Sequence, residues 1–432
     1  MAKFQLATFE VDISPPLGHP LCGGWIEPAR KIVDPLKALG VILFGAEKPI
    51  VLCAFDWVGL RNDANLHVRE AIAAGAGTTA DQVSVHCVHP HDAPFADVAA
   101  QQMLAKAGAG PCLDLRFFEQ VLDRLTKATK LALEQVVPFT HVGVGQATVN
   151  QVASSRRIVK DGKAIFSRTS STKNEVVRAY PEGLIDPNLR TLSLWDNETP
   201  LACLHFYATH PMSYYGAGQV SCDFCGLARE KMQQRYPKTR QIYFTGCAGN
   251  ITAGKYNDGA PTNRPILMDR MFQGMKSAFD NSRKMAVKSL NWHVEKMQLK
   301  PRTEVQFGEE SSSTVLQDRK QSPARRGNAA FQIAWLKRLD RPVLAGCLHV
   351  NEDTKVLCLP GEAFIEYQLK AHQMAGKEPL FVAAYGDGGM GYIPTANAFL
   401  EGGYEPTVAL AHPDTETILL KTIKTLLGKD QQ

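Results

Sequence analysis

A chain of 432 residues, 44% hydrophobic and 21% charged, has the make-up of a globular protein able to bury a large core. Its formal net charge of +5 is small for this length, and pairs such as Arg319-Lys320 and Arg325-Arg326 read as solvated surface; neither nucleic acid nor an anionic membrane is the expected partner. Ten cysteines do not make a disulfide framework, and the start Met1-Ala2-Lys3-Phe4-Gln5 has no apolar signal core, so a cytoplasmic protein with reduced thiols and no stable membrane insertion is expected.

Apolar runs predict strands at 4–11, 38–44 and 50–55, a helix at 62–74, a strand at 82–88 and a long helix at 113–136. In the long helix Phe117, Val121, Leu125, Ala128 and Leu131 share one face. Strands at 141–145 and 201–207 are followed by a helix at 224–235, a strand at 241–244 and helices at 265–279 and 325–339. Strands at 343–350 and 355–359, a helix at 363–374, a strand at 380–384 and a helix at 415–427 complete the chain. This alternation predicts an α/β layered fold, a mixed sheet flanked by helices, in a single domain over 1–432. The polar stretches 150–188 and 306–328 are long for loops and read as lids, substrate walls or disordered insertions.

Chemistry concentrates where predicted strands end. Val88-His89-Pro90-His91-Asp92-Ala93-Pro94 follows the strand at 82–88 and can aim two imidazoles into one cleft. Thr209-His210-Pro211 ends the strand at 201–207 in the same way, since proline stops the ladder and keeps the residue before it extended. Leu359-Pro360-Gly361-Glu362 turns a strand into a helix; Glu362 is either a carboxylate in the first helical turn or a metal ligand. Tyr385-Gly386-Asp387-Gly388-Gly389-Met390-Gly391-Tyr392 is rich enough in glycine for backbone to approach a ligand closely, with no phosphate-loop Lys-Ser/Thr behind it. Two histidines, a glutamate and one further oxygen form a sensible zinc shell, and two imidazoles favour Zn2+ over magnesium or calcium. Cys222-x-x-Cys225 has no second pair to close a zinc ribbon. Asp223 and Asp56 each read as a helix cap or as a carboxylate bonded to a ligand histidine. Asn250 and Thr252 bind substrate polar groups or shape a turn.

Together these segments resemble the catalytic domain of neutral/alkaline ceramidases. That family's Thr-His-Thr-His-Ser-Gly-Pro loop is matched by residues 88–94, and its His-Pro segment by His210-Pro211. Its Pro-Gly-Glu turn is matched by Pro360-Gly361-Glu362, and its two late tyrosines by Tyr392 and Tyr404. Asp12-Ile13-Ser14-Pro15-Pro16 and Ala248-Gly249-Asn250-Ile251-Thr252 match two further segments, all in order. The resemblance implies a zinc amidohydrolase cleaving a linear amide by zinc-hydroxide attack. It implies His89, His210, Glu362 and Tyr392 as zinc ligands, and His91, Tyr404 and Arg156 around the scissile carbonyl. Arg157 is close enough to Arg156 to share substrate binding. Asp92 is a candidate base, because it adjoins the ligand loop. Departures are Asp92-Ala93 for Ser-Gly, Pro394 for Thr, and no C-terminal immunoglobulin-like domain expected. These put the lipid substrate in more doubt than the metal chemistry. The alternatives are a zinc esterase, deacetylase or carboxypeptidase-like enzyme on a small polar substrate, or a non-catalytic binding module. The sequence leaves the oligomeric state open.

Overall fold

The computed structural model describes residues 3–429; the Met1-Ala2 start used in the localisation reading lies outside them. Three mixed sheets carry the architecture, and each places one parallel pair at an edge. The first runs in the order Val83–Cys87, Ile50–Phe55, Lys37–Phe44, Gln5–Asp12, Val137–Pro138, with its first two strands parallel. The second runs Arg240–Thr245, Thr199–Tyr207, Asn188–Asp196, His141–Thr148, Arg283–Ala286, again with the first two parallel. The third runs Leu290–Met297, Val343–Val350, Thr354–Cys358, Leu380–Ala383, with the last two parallel. Ile50–Phe55 and Thr354–Cys358 are buried along their whole length, which is why they read as unbroken apolar runs. Each fully buried Ile, Leu or Phe in such a strand contributes about 1.5–3 kcal/mol.

The parallel pairs meet at their C-terminal ends. Cys87 N donates to Tyr385 O (2.9 Å), Ala384 N to Thr245 O (2.9 Å), and the Thr245 hydroxyl to Val88 O (2.7 Å). These bonds stitch the three sheets together at the side where strands of open α/β sheets present ligands. Helices cover the outer faces: Asp63–Ala76 packs on Leu115–Ala132, and Asp223–Arg235 on Asn263–Asp280. One apolar cluster runs from Phe4 to Leu427.

Several expectations need correction. The stretch 306–328 is not a loop: it folds into the helix Glu309–Gln317 and the start of Pro323–Lys337, which pack on each other. The stretch 150–188 holds the hairpin Arg157–Lys160/Lys163–Ser167 and the short helix Glu175–Ala179. Its anchor is the fully buried Arg168, which donates to the carbonyls of Ser155, Val177, Tyr180 and Pro181. Asp56 caps no helix and meets no ligand histidine; it takes both terminal nitrogens of buried Arg229 (2.7 and 2.9 Å) and the Lys37 amide. Asp223 is the first residue of its helix rather than the cap, and its carboxylate receives Ser213 N (2.9 Å) and pairs with Arg264 (3.4 Å). All ten cysteines, Cys222 and Cys225 among them, are buried free thiols.

Candidate metal centre and its cavity

His89, His210 and Glu362 come together where the three sheets meet. His89 lies just beyond Val83–Cys87, His210 just beyond Thr199–Tyr207, and Glu362 after Thr354–Cys358. Glu362 does not open a helix as the macrodipole reading expects. It sits on the two-residue strand Glu362–Ala363, parallel to Tyr392–Ile393, and Glu366 takes the acidic place in the helix Ile365–Ala375. Gly361 (φ +58) makes this turn possible, since a Cβ there would lie 2.8 Å from Gly391 O. Gly249 allows a second close approach: its Cβ would stand 2.3 Å from Glu362 O.

The hydrogen bonds of the two imidazoles define their chemistry. His89 Nδ1 contacts Val58 O (2.5 Å), and His210 Nδ1 contacts Ala248 O (2.7 Å) and Ile251 O (3.0 Å). A carbonyl only accepts, so each Nδ1 carries the hydrogen and each neutral ring keeps its lone pair on Nε2. Those two Nε2 atoms lie 3.4 and 3.5 Å from Glu362 Oε2. All three atoms are enclosed and have no hydrogen-bond partner. The three ligand atoms lie within 4.8 Å of one another, and no other set of three His, Cys, Asp or Glu among the described residues does this. Burial lowers His210 and keeps His91 well below its ordinary value. Three orphaned lone-pair atoms, two of them on imidazoles fixed by backbone carbonyls behind them, are what a divalent cation needs.

Backbone strain marks the same place. His89 (φ 76) and Tyr385 (φ 61) are left-handed without being glycine, at a cost of order 1–3 kcal/mol each. Their rings face each other, 4.5 Å between centroids.

The trio opens on a cavity of about 760 Å³. His91, Arg156, Tyr392, Tyr404 and Thr252 line it as expected. Arg156 is clamped: it donates to the Tyr392 hydroxyl (3.0 Å) and pairs with buried Glu405 (3.3 Å). Burial disfavours its charge, yet Tyr392 and Glu405 hold its pKa above the ordinary value. His91 Nδ1 contacts His89 O (3.2 Å), which turns its Nε2 lone pair outward. Three expected residues do not reach the cavity. Arg157 turns away to Glu401 (2.9 Å) and Glu405 (3.2 Å). Asn250 bridges Glu366 and the Ile365 amide. Asp92 takes the Gly216 amide (2.8 Å), and its burial raises its pKa to about 6, but it is not on the cavity wall.

Other wall residues were not singled out from sequence. Trp25, Phe95, Phe331, Phe307 and Leu410 make an apolar side, and Ser167, Thr169 and Ser170 a polar rim. Arg61 stands against the touching pair Phe95 and Phe331. An isolated Arg after Gly59-Leu60 belongs to no motif; only the fold brings it here.

No family model matches the chain, and no curated protein sequence does. Solved structures do. A neutral ceramidase from Pseudomonas aeruginosa is 13% identical and aligns over 99% of this chain and 74% of its own, with a TM-score of 0.72. A structure described as ceramidase complexed with C2 is 13% identical over 100% of this chain and 76% of its own, with a TM-score of 0.73. The mixed sheets, their order and their flanking helices thus form, over the whole chain, a neutral ceramidase-like fold.

Proposed function

We propose that the protein is a metal-dependent hydrolase of linear acyl amides. The carrying observation is the convergence of three buried, partnerless ligand atoms from His89, His210 and Glu362 on the floor of a large cavity. Tyr392, strand-paired with Glu362, is proposed as a fourth ligand. Zinc is the cation this nitrogen-rich set favours; when bound it supplies Lewis-acid polarisation and a water acidic near neutrality.

The chain's own residues do the rest. His91 Nε2 accepts a hydrogen bond from the attacking water and orients it, from a position on the cavity wall that Asp92 does not share. Arg156, held flat by Tyr392 and Glu405, donates to the oxygen on which charge develops. Tyr404 offers its hydroxyl from beside them, its ring 5.3 Å from the Arg156 guanidinium and 5.9 Å from the ring of Tyr392. The apolar side formed by Trp25, Phe95, Phe331 and Phe307 favours an acyl chain over a small polar substrate.

The test is zinc content and chelator-sensitive cleavage of an N-dodecanoyl amide, wild type beside Glu362→Gln. About one zinc per chain with cleavage, both lost in the variant, supports the reading. A protein that stays metal-free in added zinc, or cleaves equally well with chelator, sinks it.

A further inference from the structure

Arg61 is a charged residue of the cavity that this reaction does not use. Its side chain is 91% removed from solvent, since 9% of the residue remains exposed. It packs against a pair of touching aromatic rings, 4.7 Å from the Phe95 centroid and 5.1 Å from that of Phe331. Among the described residues no hydrogen bond or ion pair reaches its guanidinium, and its Nε is enclosed without a partner. Burial pulls its pKa down, against the more distant charges of Asp97, Glu362 and Asp387. Each of those carboxylates is already engaged. Asp97 receives Asn62 and the Ala100 amide, Asp387 receives Arg338, and Glu362 belongs to the histidine pair. A buried cation without a bonded counter-charge is costly, and structures normally pair it. Here no pairing group is found among the described residues, while the guanidinium borders the cavity.

The position is informative as well. A Cβ on Gly391 would lie 3.5 Å from Arg61 Nη2, and Gly391 O accepts the Glu362 amide (3.0 Å). Arg61 thus lies beside the backbone that holds Glu362, on the same cavity as the metal trio. One guanidinium fork and one uncompensated charge match a single carboxylate better than a phosphate dianion.

We infer that Arg61 selects substrates bearing a carboxylate next to the scissile amide, so that the preferred substrate class is the N-acylated α-amino acid rather than a neutral acyl amide. This rests on the amide-hydrolase reading for its catalytic consequence, but not for its binding consequence. Arg61 is 9% exposed, and the two rings cover one side of its guanidinium, so a carboxylate there meets a charge-assisted bond in a largely dry setting.

The experiment compares N-dodecanoylglycine with N-dodecanoylglycinamide, which differ only in that charge. A second pair, N-dodecylsuccinamate and its carboxamide, moves the carboxylate to the acyl side. Wild type is expected to favour N-dodecanoylglycine by about 10- to 100-fold in kcat/KM. Arg61→Met keeps the packing against the two phenylalanines and is expected to bring the ratio close to one, with a melting temperature no lower than that of wild type. The same pairs are titrated calorimetrically into Glu362→Gln, with and without Arg61→Met, which reads affinity without turnover. A preference seen only in the succinamate pair and lost in Arg61→Met overturns the amino-acid assignment while keeping Arg61 as the carboxylate site. Equal binding within both pairs, or a preference that survives Arg61→Met, overturns the inference altogether. Selective binding without any hydrolysis by wild type upholds it and defeats the hydrolase reading instead.

Discussion

Four histidines are buried in strands or at strand ends, and they divide into two pairs. His86 and His205 use both ring nitrogens inside the protein: His86 contacts Ala384 O (2.7 Å) and Ser84 Oγ (2.8 Å), and His205 contacts Thr191 Oγ1 (2.8 Å) and Gln241 Oε1 (2.9 Å). His89 and His210 use only Nδ1 and leave Nε2 without a partner. Burial is nearly the same in all four, between fully buried and 3% exposed. The difference lies in half-satisfaction: a nitrogen left over in a dry place signals a ligand that the chain does not itself provide.

The largest effect expected from breaking this contrast is at Glu362→Gln or His210→Ala. Either should lose bound zinc and about 10³-fold or more in kcat/KM, several kcal/mol of transition-state stabilisation, as read by elemental analysis and steady-state kinetics. Arg156→Met should cost about 10²-fold in kcat while leaving zinc content at the wild-type level. Saturating zinc should raise the stability of wild type and of His205→Leu by about 2.7 kcal/mol at 100 times Kd, and that of Glu362→Gln much less; thermal melts with and without metal decide this. His205→Leu strands Thr191 and Gln241, so it should lose about 1–3 kcal/mol of stability and keep its kinetics. If it instead lost metal, the contrast between the two pairs would fail.

Asp92 gives the smallest and most specific test. Burial raises its folded pKa from 3.8 to about 6. The folded state therefore binds the proton more tightly than the unfolded one, and stability falls as pH rises from about 4 through 6. Asp92→Asn should flatten that fall, on the order of 1–3 kcal/mol in denaturant titrations across this window. Its activity should stay close to wild type, because the side chain holds Gly216 and does not face the cavity. A large loss of kcat would return Asp92 to the mechanism.

The legible parts of the sequence were those in which one force dominates. Ile50–Phe55 and Val343–Val350 begin and end where the apolar runs do, because burial alone defines them. The histidines and Glu362 could be marked because proline and glycine fix the strand ends that carry them. Glu309–Gln317 was missed because only Ser312 and Leu316 of its nine residues are buried, too few to give a helical period. Neighbouring residues could not be told apart either: Arg156 and Arg157 share one strand end, and only the positions of Glu401 and Glu405 send the second away from the cavity. Arg61 lies beyond any pattern, since its surroundings come from Phe95 and Phe331, which are distant in sequence.

The ten buried thiols have a practical consequence. A thiol that is both enclosed and held in its protonated form reacts with an alkylating reagent only when the fold opens around it. Because the cysteines are spread over all three sheets and the cavity wall, their labelling rates map local opening across the molecule. Cys22 faces the cavity beside Trp25, so its rate also reports occupancy. A bound acyl chain would slow Cys22 while leaving Cys203 and Cys347 at their native pace, a footprint that needs no turnover to be seen.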